Sequence, residues 1–242
     1  MTFSIAARDT RNGMLGVATS SKALAAGGLV PYVRSGVGAI ASQSFVNPYL
    51  GIDGLVLLEQ GLPAERAIER LIEGDPGRDL RQLGIVDKEG RAAAYTGGRC
   101  IDWAGHVLGG GYVCLGNILE GEDVVKAMAT AFERSADEDL PERLMRALEA
   151  GQDAGGDRRG RQSAGIHVVA SEEYPWVNLR VDDNADPVPE LRRIFEVWKV
   201  EELAWMQWMP RRDDLTPGWD VVGRMRDQIE EELNEREPVK EY

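Results

Sequence analysis

The sequence predicts an α+β fold in four layers, with two β-sheets packed face to face between outer layers of helices. Three observations carry that prediction. The chain opens on a strand, a tight turn and a returning strand. Helical spacing is confined to blocks that fall between antiparallel hairpins rather than alternating with single strands. The strands carry many Ala and Gly residues, which lets two sheets approach closely.

The elements follow in order. In residues 2–8, Phe3, Ile5 and Ala7 alternate with Thr2, Ser4 and Ala6, the period of a strand. Arg11-Asn12-Gly13 is a turn, and Leu15 to Ser20 return as the second strand. Leu29 to Val33 and Gly38 to Gln43 form a second pair, joined by Arg34-Ser35-Gly36. Leu55, Leu58 and Leu62 then mark a helical face. Pro63 opens another helix through Ala67, Ile68, Leu71 and Ile72, and Asp75-Pro76-Gly77 stops it. Strands return at 82–87 and 91–96 around Lys88-Glu89-Gly90. A Gly-rich stretch surrounds Trp103 to His106 and Gly109 to Gly111, and 112–116 is a strand. Helices at 120–134 and 140–150, a polar loop at 155–160, and strands at 163–170 and 176–182 complete the layered part. Residues 187–209 read as a helix closed by Pro210. A tail at 211–242 carries one amphipathic helix and ends in Arg236-Glu237-Pro238. The expected organisation is one domain over 1–210 and a helical tail over 211–242.

Composition narrows the function. The chain has 242 residues, 41 acids against 28 bases and a net charge of −13, so its surface repels a phosphate backbone and no nucleic-acid partner is expected. No apolar run reaches the ~18 residues of a membrane helix, and MTFSIAARD lacks the basic and apolar regions of a signal peptide. Cys100 and Cys114 have no metal-ligand spacing, and two histidines do not complete a zinc set with them. A cytoplasmic protein with no metal and no cofactor is expected, with free thiols suited to a reducing compartment.

The residues that could carry chemistry each have a plain structural reading beside the functional one. Initiator Met is normally removed before a small residue, leaving Thr2 with a hydroxyl nucleophile and an adjacent amine of pKa ~8 that can act as its base; by residue type alone Thr2 reads as a β-former opening a strand. Asn117, after Gly116, can donate its amide to an oxyanion or cap a helix. Thr96-Gly97-Gly98 either exposes amides to a ligand or is a tight turn. Arg158, Arg159 and Arg161 lie in GGDRRGRQS, where guanidinium forks can hold an anion or simply face solvent. His167 sits mid-strand and reads as structural, whereas His106 in the Gly-rich loop is more open to function. Trp198, Trp205 and Trp208, with Met206 and Met209, suggest a core or subunit-interface face. No GxSxG elbow, Walker loop, HExxH or GxGxxG fingerprint is present.

TFSIAARD, LGVATSSK, GVGAIASQSF with Asn47-Pro48, DLRQLGIVD, AYTGGRC, WAGH, GNIL and GGDRRGRQSAG occur here in the order seen in the DUF1028 family. The chain resembles that family over roughly residues 1–200; the tail beyond 211 is outside the match. The resemblance implies the N-terminal-nucleophile (Ntn) hydrolase-like fold, an αββα sandwich, and a superfamily in which an N-terminal Thr, Ser or Cys cleaves amides. It places Gln43, Asn47, Asn117, Asp157, Arg159 and Gln162 near the site. The expected function is hydrolysis of the amide bond of a small polar, anionic substrate. Thr2, Asn117 and Asp157 would be catalytic; Gln43, Asn47, Arg159, Arg161 and Gln162 would bind substrate. Two alternatives stand beside it: a non-catalytic small-anion binder on the same fold, and chemistry at Cys100 or His106. A homodimer or higher homo-oligomer is expected.

Overall fold

The computed structural model describes residues 2–206, 208–215 and 218–235. Met1 and Arg236-Glu237-Pro238 lie outside the described residues. The chain divides into two compact units, one ending at Glu196 and the other beginning at Val197.

In the first unit, β1 (Thr2–Arg8) and β2 (Leu15–Ser21) form the predicted opening hairpin, with Gly13 at φ 77° in its turn. β3 (Pro31–Arg34) and β4 (Gly38–Ser44) pair next. The third strand begins later than the sequence predicts, because Ala26–Gly28 is a 3-10 turn held against Gly165 and the Arg180 side chain. α1 (Pro48–Glu59) and α2 (Ala64–Glu73) follow, and Leu62 falls between them because Gly61, at φ 92°, ends the first helical run. β5 (Arg81–Asp87) and β6 (Ala92–Thr96) are the expected hairpin. The Gly-rich stretch contains an unforeseen strand, β7 (Gly105–Gly109), paired with β8 (Tyr112–Asn117); its glycines mask the alternation of a strand. α3 (Asp123–Arg134), α4 (Leu140–Asp153), β9 (Ser163–Val169) and β10 (Pro175–Val181) complete the order.

The strands make two antiparallel sheets, one of six in the order β10-β9-β2-β1-β8-β7 and one of four in the order β3-β4-β5-β6. α3 and α4 pack on the larger sheet; α1 and α2 pack on the smaller one. β1 faces β4 and β5, and β8 faces β5.

Period-2 alternation decides what lies between the sheets. Phe3 on β1 is buried on the helix side beside Met128, whereas Ala6 belongs to the layer between the sheets. Ile40, Leu83 and Ile85 of the smaller sheet turn toward α1 and α2, joining Leu55, Leu58, Ile68 and Leu71. The inter-sheet layer contains Ala6, Leu15, Val17, Ala39, Ala41, Val86, Val113 and Leu115. Small residues let the sheets close: a Cβ on Gly84 would come within 3.0 Å of Leu115 and Val113.

α5 (Pro187–Glu201) begins in this unit, where Arg192 bonds Glu149 through Nε and Nη2 and Glu142 through Nη1. The predicted 187–209 helix is interrupted: α5 ends at Glu201, and α6 (Leu203–Met206) is a separate turn. The second unit also holds α7 (Trp219–Glu235), with Trp205, Val222, Met225 and Ile229 lining an apolar groove of ≈ 420 Å³. None of the described helices is long and apolar enough to cross a membrane.

Candidate active site

The layer between the sheets changes character along its length. At one end it is apolar. At the other, the same inward positions of the alternating strands carry Thr2, Ser4, Thr19, Ser21, Gln43, Gln82 and Asn117, all buried. Antiparallel order explains why they meet, since β1 and β5 begin at this end while β2, β4 and β8 finish there. Uncompensated burial of this many polar groups would cost about 1–3 kcal/mol for each orphan, so their partners matter.

The partners are mutual. Gln43 Nε2 donates to the Thr2 carbonyl at 3.2 Å and to Gln82 Oε1 at 2.8 Å. Ser4 Oγ donates to Gln43 Oε1 at 2.6 Å. With that proton committed, the hydroxyl of Thr19 supplies the proton for its 2.8 Å contact with Ser4 Oγ. Thr2 Oγ1 donates to Ser21 Oγ at 3.2 Å. Asn117 lies opposite Thr2 in the β1–β8 register and donates from Nδ2 to Gln82 Oε1 at 3.0 Å. It is the last residue of its strand, and Glu122 precedes α3, so the helix-cap alternative for Asn117 does not apply. Gln82 was missed by the sequence reading, although Gln82, Gly84 and Val86 alternating with Leu83 and Ile85 give its inward direction.

Both strands that deliver amides to Thr2 leave through left-handed backbone. Ser44 follows Gln43 at φ 71°, and Ile118 follows Asn117 at φ 51°. For a β-branched residue this conformation is a genuine outlier, and such residues cost about 1–3 kcal/mol and gather at functional sites.

The remaining sequence candidates sit around this centre. Asp157, buried, accepts from the backbone N–H of Lys22 at 2.7 Å and of Arg159 at 2.8 Å. It thereby ties the Arg-rich loop to the residue after Ser21. Arg159 also ion-pairs with Asp157 at 3.4 Å, Arg158 Nη2 donates to the Asp102 carbonyl at 3.1 Å, and Arg161 pairs with Asp186 at 2.5 Å. The Gln162 backbone N–H donates to the Ser21 carbonyl, but its side chain reaches Asp183. Asn47 caps α1 by accepting from Tyr49 N and donates to Asp75 at 3.3 Å. It lines a groove of ≈ 470 Å³ with Tyr49, Asp53, Arg70 and Asp75, and it is not among the side chains bonded to the Gln43–Gln82–Asn117 network. The Gly97 amide donates to the Arg81 carbonyl and the Cys100 N–H closes a turn on the Gly97 carbonyl, so Thr96-Gly97-Gly98 runs into a tight turn.

Among the other reactive groups, His106 joins this network through Thr96, whose Oγ1 also accepts from Gln82 Nε2 at 3.1 Å. Cys114 is fully buried in β8, and burial pushes its thiol well above its ordinary range. Cys100 Sγ contacts the Arg81 carbonyl at 3.2 Å. His106 is on β7, where its Nδ1 lies 3.0 Å from Thr96 Oγ1; the atoms packed around it hold its pKa below the ordinary value. His167 is half-buried in β9, and burial lowers it likewise. Trp198 is buried, while Trp208 and Met209 are partly exposed. Among the described residues no group of three or more His, Cys, Asp or Glu could hold a metal ion.

Asp75 anchors Arg81, the residue before Gln82, at 2.8 Å. Burial alone would raise its pKa, but hydrogen bonds from Arg81, the Gly77 N–H and Asn47 outweigh burial and hold it below the ordinary value. Arg81 also donates to the Phe45 carbonyl at 2.6 Å, fixing the connection after Gln43. A carboxyl depressed in the folded state contributes its full stability above the unfolded pKa of ~3.9 and loses it as pH falls through the lower folded value. Asp75→Asn is therefore expected to lower the melting temperature at pH 7 and to flatten its fall below about pH 4. Parallel melting curves of the two proteins against pH check this.

The chain is similar to known proteins. The model of the family of unknown function DUF1028 matches residues 2–191. The crystal structure of protein SPO2555 from Silicibacter pomeroyi, assigned to the same family model, is similar at 32% identity and a TM-score of 0.82. That match covers 89% of this chain and 98% of that one. Anbu (ancestral beta-subunit) from Yersinia bercovieri matches at 13% identity and a TM-score of 0.38, over 84% of this chain and 97% of its own. Among curated proteins, none matches. With the family model spanning most of its length and an identified relative sharing its fold, the chain belongs to the DUF1028 family.

Proposed function

We propose that the polar end of the inter-sheet layer is the active site of an Ntn-type hydrolase acting on the amide bond of a small polar substrate, and that the layers form the αββα sandwich of that superfamily. The observation that carries the reading is the position of Thr2. It is the first residue of a central strand, in register with Asn117 and bonded through its carbonyl to Gln43, where two sheets bury a row of amides and hydroxyls. An apolar core would be the simpler filling, so a polar one kept at one end points to chemistry there.

In this reading Met1 is removed, and the freed Thr2 amine takes the proton of Oγ1 as that oxygen attacks the carbonyl carbon. The negative charge that develops on the substrate oxygen meets the second N–H of the Asn117 amide, whose first is committed to Gln82. Collapse expels the amine, which takes up the proton, and leaves an ester on Thr2. Water activated by the same α-amine then releases the acid. Asp157 acts by holding Lys22 and the Arg-rich loop beside Ser21. Gln43 orients Thr2 through its carbonyl, Asn47 and Gln162 shape the rim, and Arg159 and Arg161 exchange their Asp157 and Asp186 partners for a substrate carboxylate. Arg159→Ala is then expected to raise KM for an anionic amide about tenfold with kcat little changed, and to leave a neutral analogue unaffected. Steady-state kinetics on the two substrates check it.

A specific observation favours the second reading, a small-anion binder: Thr2 is only 5% exposed. In that case Met1 stays in place and no amide turns over, which intact mass and an amide-library screen on the native-start protein decide together. Our assignment to the cytoplasm rests on the free thiols Cys100 and Cys114, which suit a reducing compartment. The exposed stripe of Phe45, Tyr49, Ile52 and Val56 on and before α1 fits self-association, for which light scattering is the test.

A further inference from the structure

We propose that Gln82 is a positioning residue for the Thr2 site, setting which atoms Asn117 and Gln43 turn toward Thr2; this rests on the hydrolase reading above. Gln82 has no exposed surface. It stands on β5 of the smaller sheet and reaches across to the larger one. Its Oε1 accepts from Gln43 Nε2 at 2.8 Å and from Asn117 Nδ2 at 3.0 Å. Its Nε2 faces the Gly116 carbonyl at 2.7 Å, the Gly105 carbonyl at 3.1 Å and Thr96 Oγ1 at 3.1 Å.

The direction of this amide is fixed by groups that cannot turn. The carbonyls of Gly105 and Gly116 are backbone within paired strands, so only the N–H side of Gln82 can face them. That choice forces Oε1 toward Gln43 and Asn117, and both must therefore present N–H to it. Reversing Gln82 would set oxygen against two carbonyls and nitrogen against two N–H groups. Asn117 in turn has one orientation because Gln82 accepts from it. Released from that bond, its amide could rotate and offer oxygen, not N–H, to a developing oxyanion. Gln43 is held the same way between Ser4, Gln82 and the Thr2 carbonyl. The sheet backbone thus fixes Gln82, Gln82 fixes the two amides, and the amides frame Thr2.

The test compares Gln82→Met, which keeps size and removes every hydrogen bond, with Gln82→Glu, whose carboxyl, held protonated by burial, keeps an acceptor toward Gln43 and Asn117 and one O–H donor toward the Gly116 carbonyl. Two readouts are taken on the full chain with its native start. One is solvent exchange of the Asn117 and Gln43 side-chain NH2 protons by NMR. The other is the rate at which a β-lactone electrophile acylates Thr2, followed by intact mass and peptide mapping. Gln82→Met is expected to lose NH2 protection at both residues and to slow acylation at least tenfold, with Gln82→Glu restoring part of each. A folded Gln82→Met protein that acylates Thr2 at the unaltered rate overturns the proposal and leaves the hydrolase reading standing. Acylation absent from the unsubstituted protein, with NH2 protection still lost in Gln82→Met, supports the positioning geometry and overturns the hydrolase reading. If Gln82→Met does not fold, Gln82→Glu decides by the same readouts: NH2 protons as exposed as in the unfolded chain overturn the proposal, and retained protection supports it.

Discussion

Thr2→Ala is expected to lower amide turnover by ~10³-fold or more while leaving the protein folded. The two effects separate because Thr2 contributes little to packing. Its hydroxyl makes one hydrogen bond, to Ser21, and losing it costs about 1 kcal/mol. The β-carbon that fills the end of the strand is retained, and Ala still permits removal of Met1. Chemically the loss is complete, because the hydroxyl is the only atom that forms the acyl bond and the α-amine has no proton to take. Thr2→Ser supplies the control, since it keeps both groups and should retain most of the turnover. Unchanged activity in Thr2→Ala, measured on the same amide, would move the chemistry to another residue.

Gly97→Ala should destabilise the protein by ~3 kcal/mol, the upper end of what overpacking costs, whereas Gly98→Ala should stay within about 0.5 kcal/mol. The difference between neighbouring glycines lies in what a new methyl group meets. At Gly97 it would lie 2.4 Å from the Asp79 carbonyl oxygen and 2.5 Å from that of Arg78, both backbone and unable to rotate away. At Gly98 nothing lies within 4 Å. Gly97 also donates to the Arg81 carbonyl, so displacing it pulls on the residue beside Gln82. Denaturant melts of the two variants measure the gap. A stability loss at Gly98 equal to that at Gly97 would mean that this turn is not packed against the 78–79 backbone.

The opening hairpin, most of the strand pairs and the helices between them were legible because alternation and turn chemistry are local signals. Residues 2–8 show why. The same alternation that reveals the strand also turns Thr2 and Ser4 to the face opposite Phe3. β7 was hidden because Gly105 and Gly109 offer no side chain to alternate. The site was only partly legible. Thr2, Gln43 and Asn117 come together, whereas Asn47 caps a helix, the Gln162 side chain points to Asp183, and the three arginines each have a partner. Those pairings depend on loops whose partners lie up to 56 residues away in sequence, as for Arg158 and Asp102. No local pattern encodes them. Gln82 was overlooked because one glutamine in an apolar strand has no motif. Its meaning appears only when two sheets place three backbone and side-chain acceptors around its nitrogen.

In the proposed hydrolase, a free Thr2 at the polar end of the inter-sheet layer is the reacting group. Mass-resolved acylation tests it most directly: the protein is prepared with its native start, the forms with and without Met1 are resolved by intact mass, and a β-lactone adduct is mapped in each. An adduct is expected on Thr2 of the form lacking Met1 and none on the form retaining it. An adduct or amide turnover in the form that keeps Met1, or a form lacking Met1 that never acylates, would contradict it.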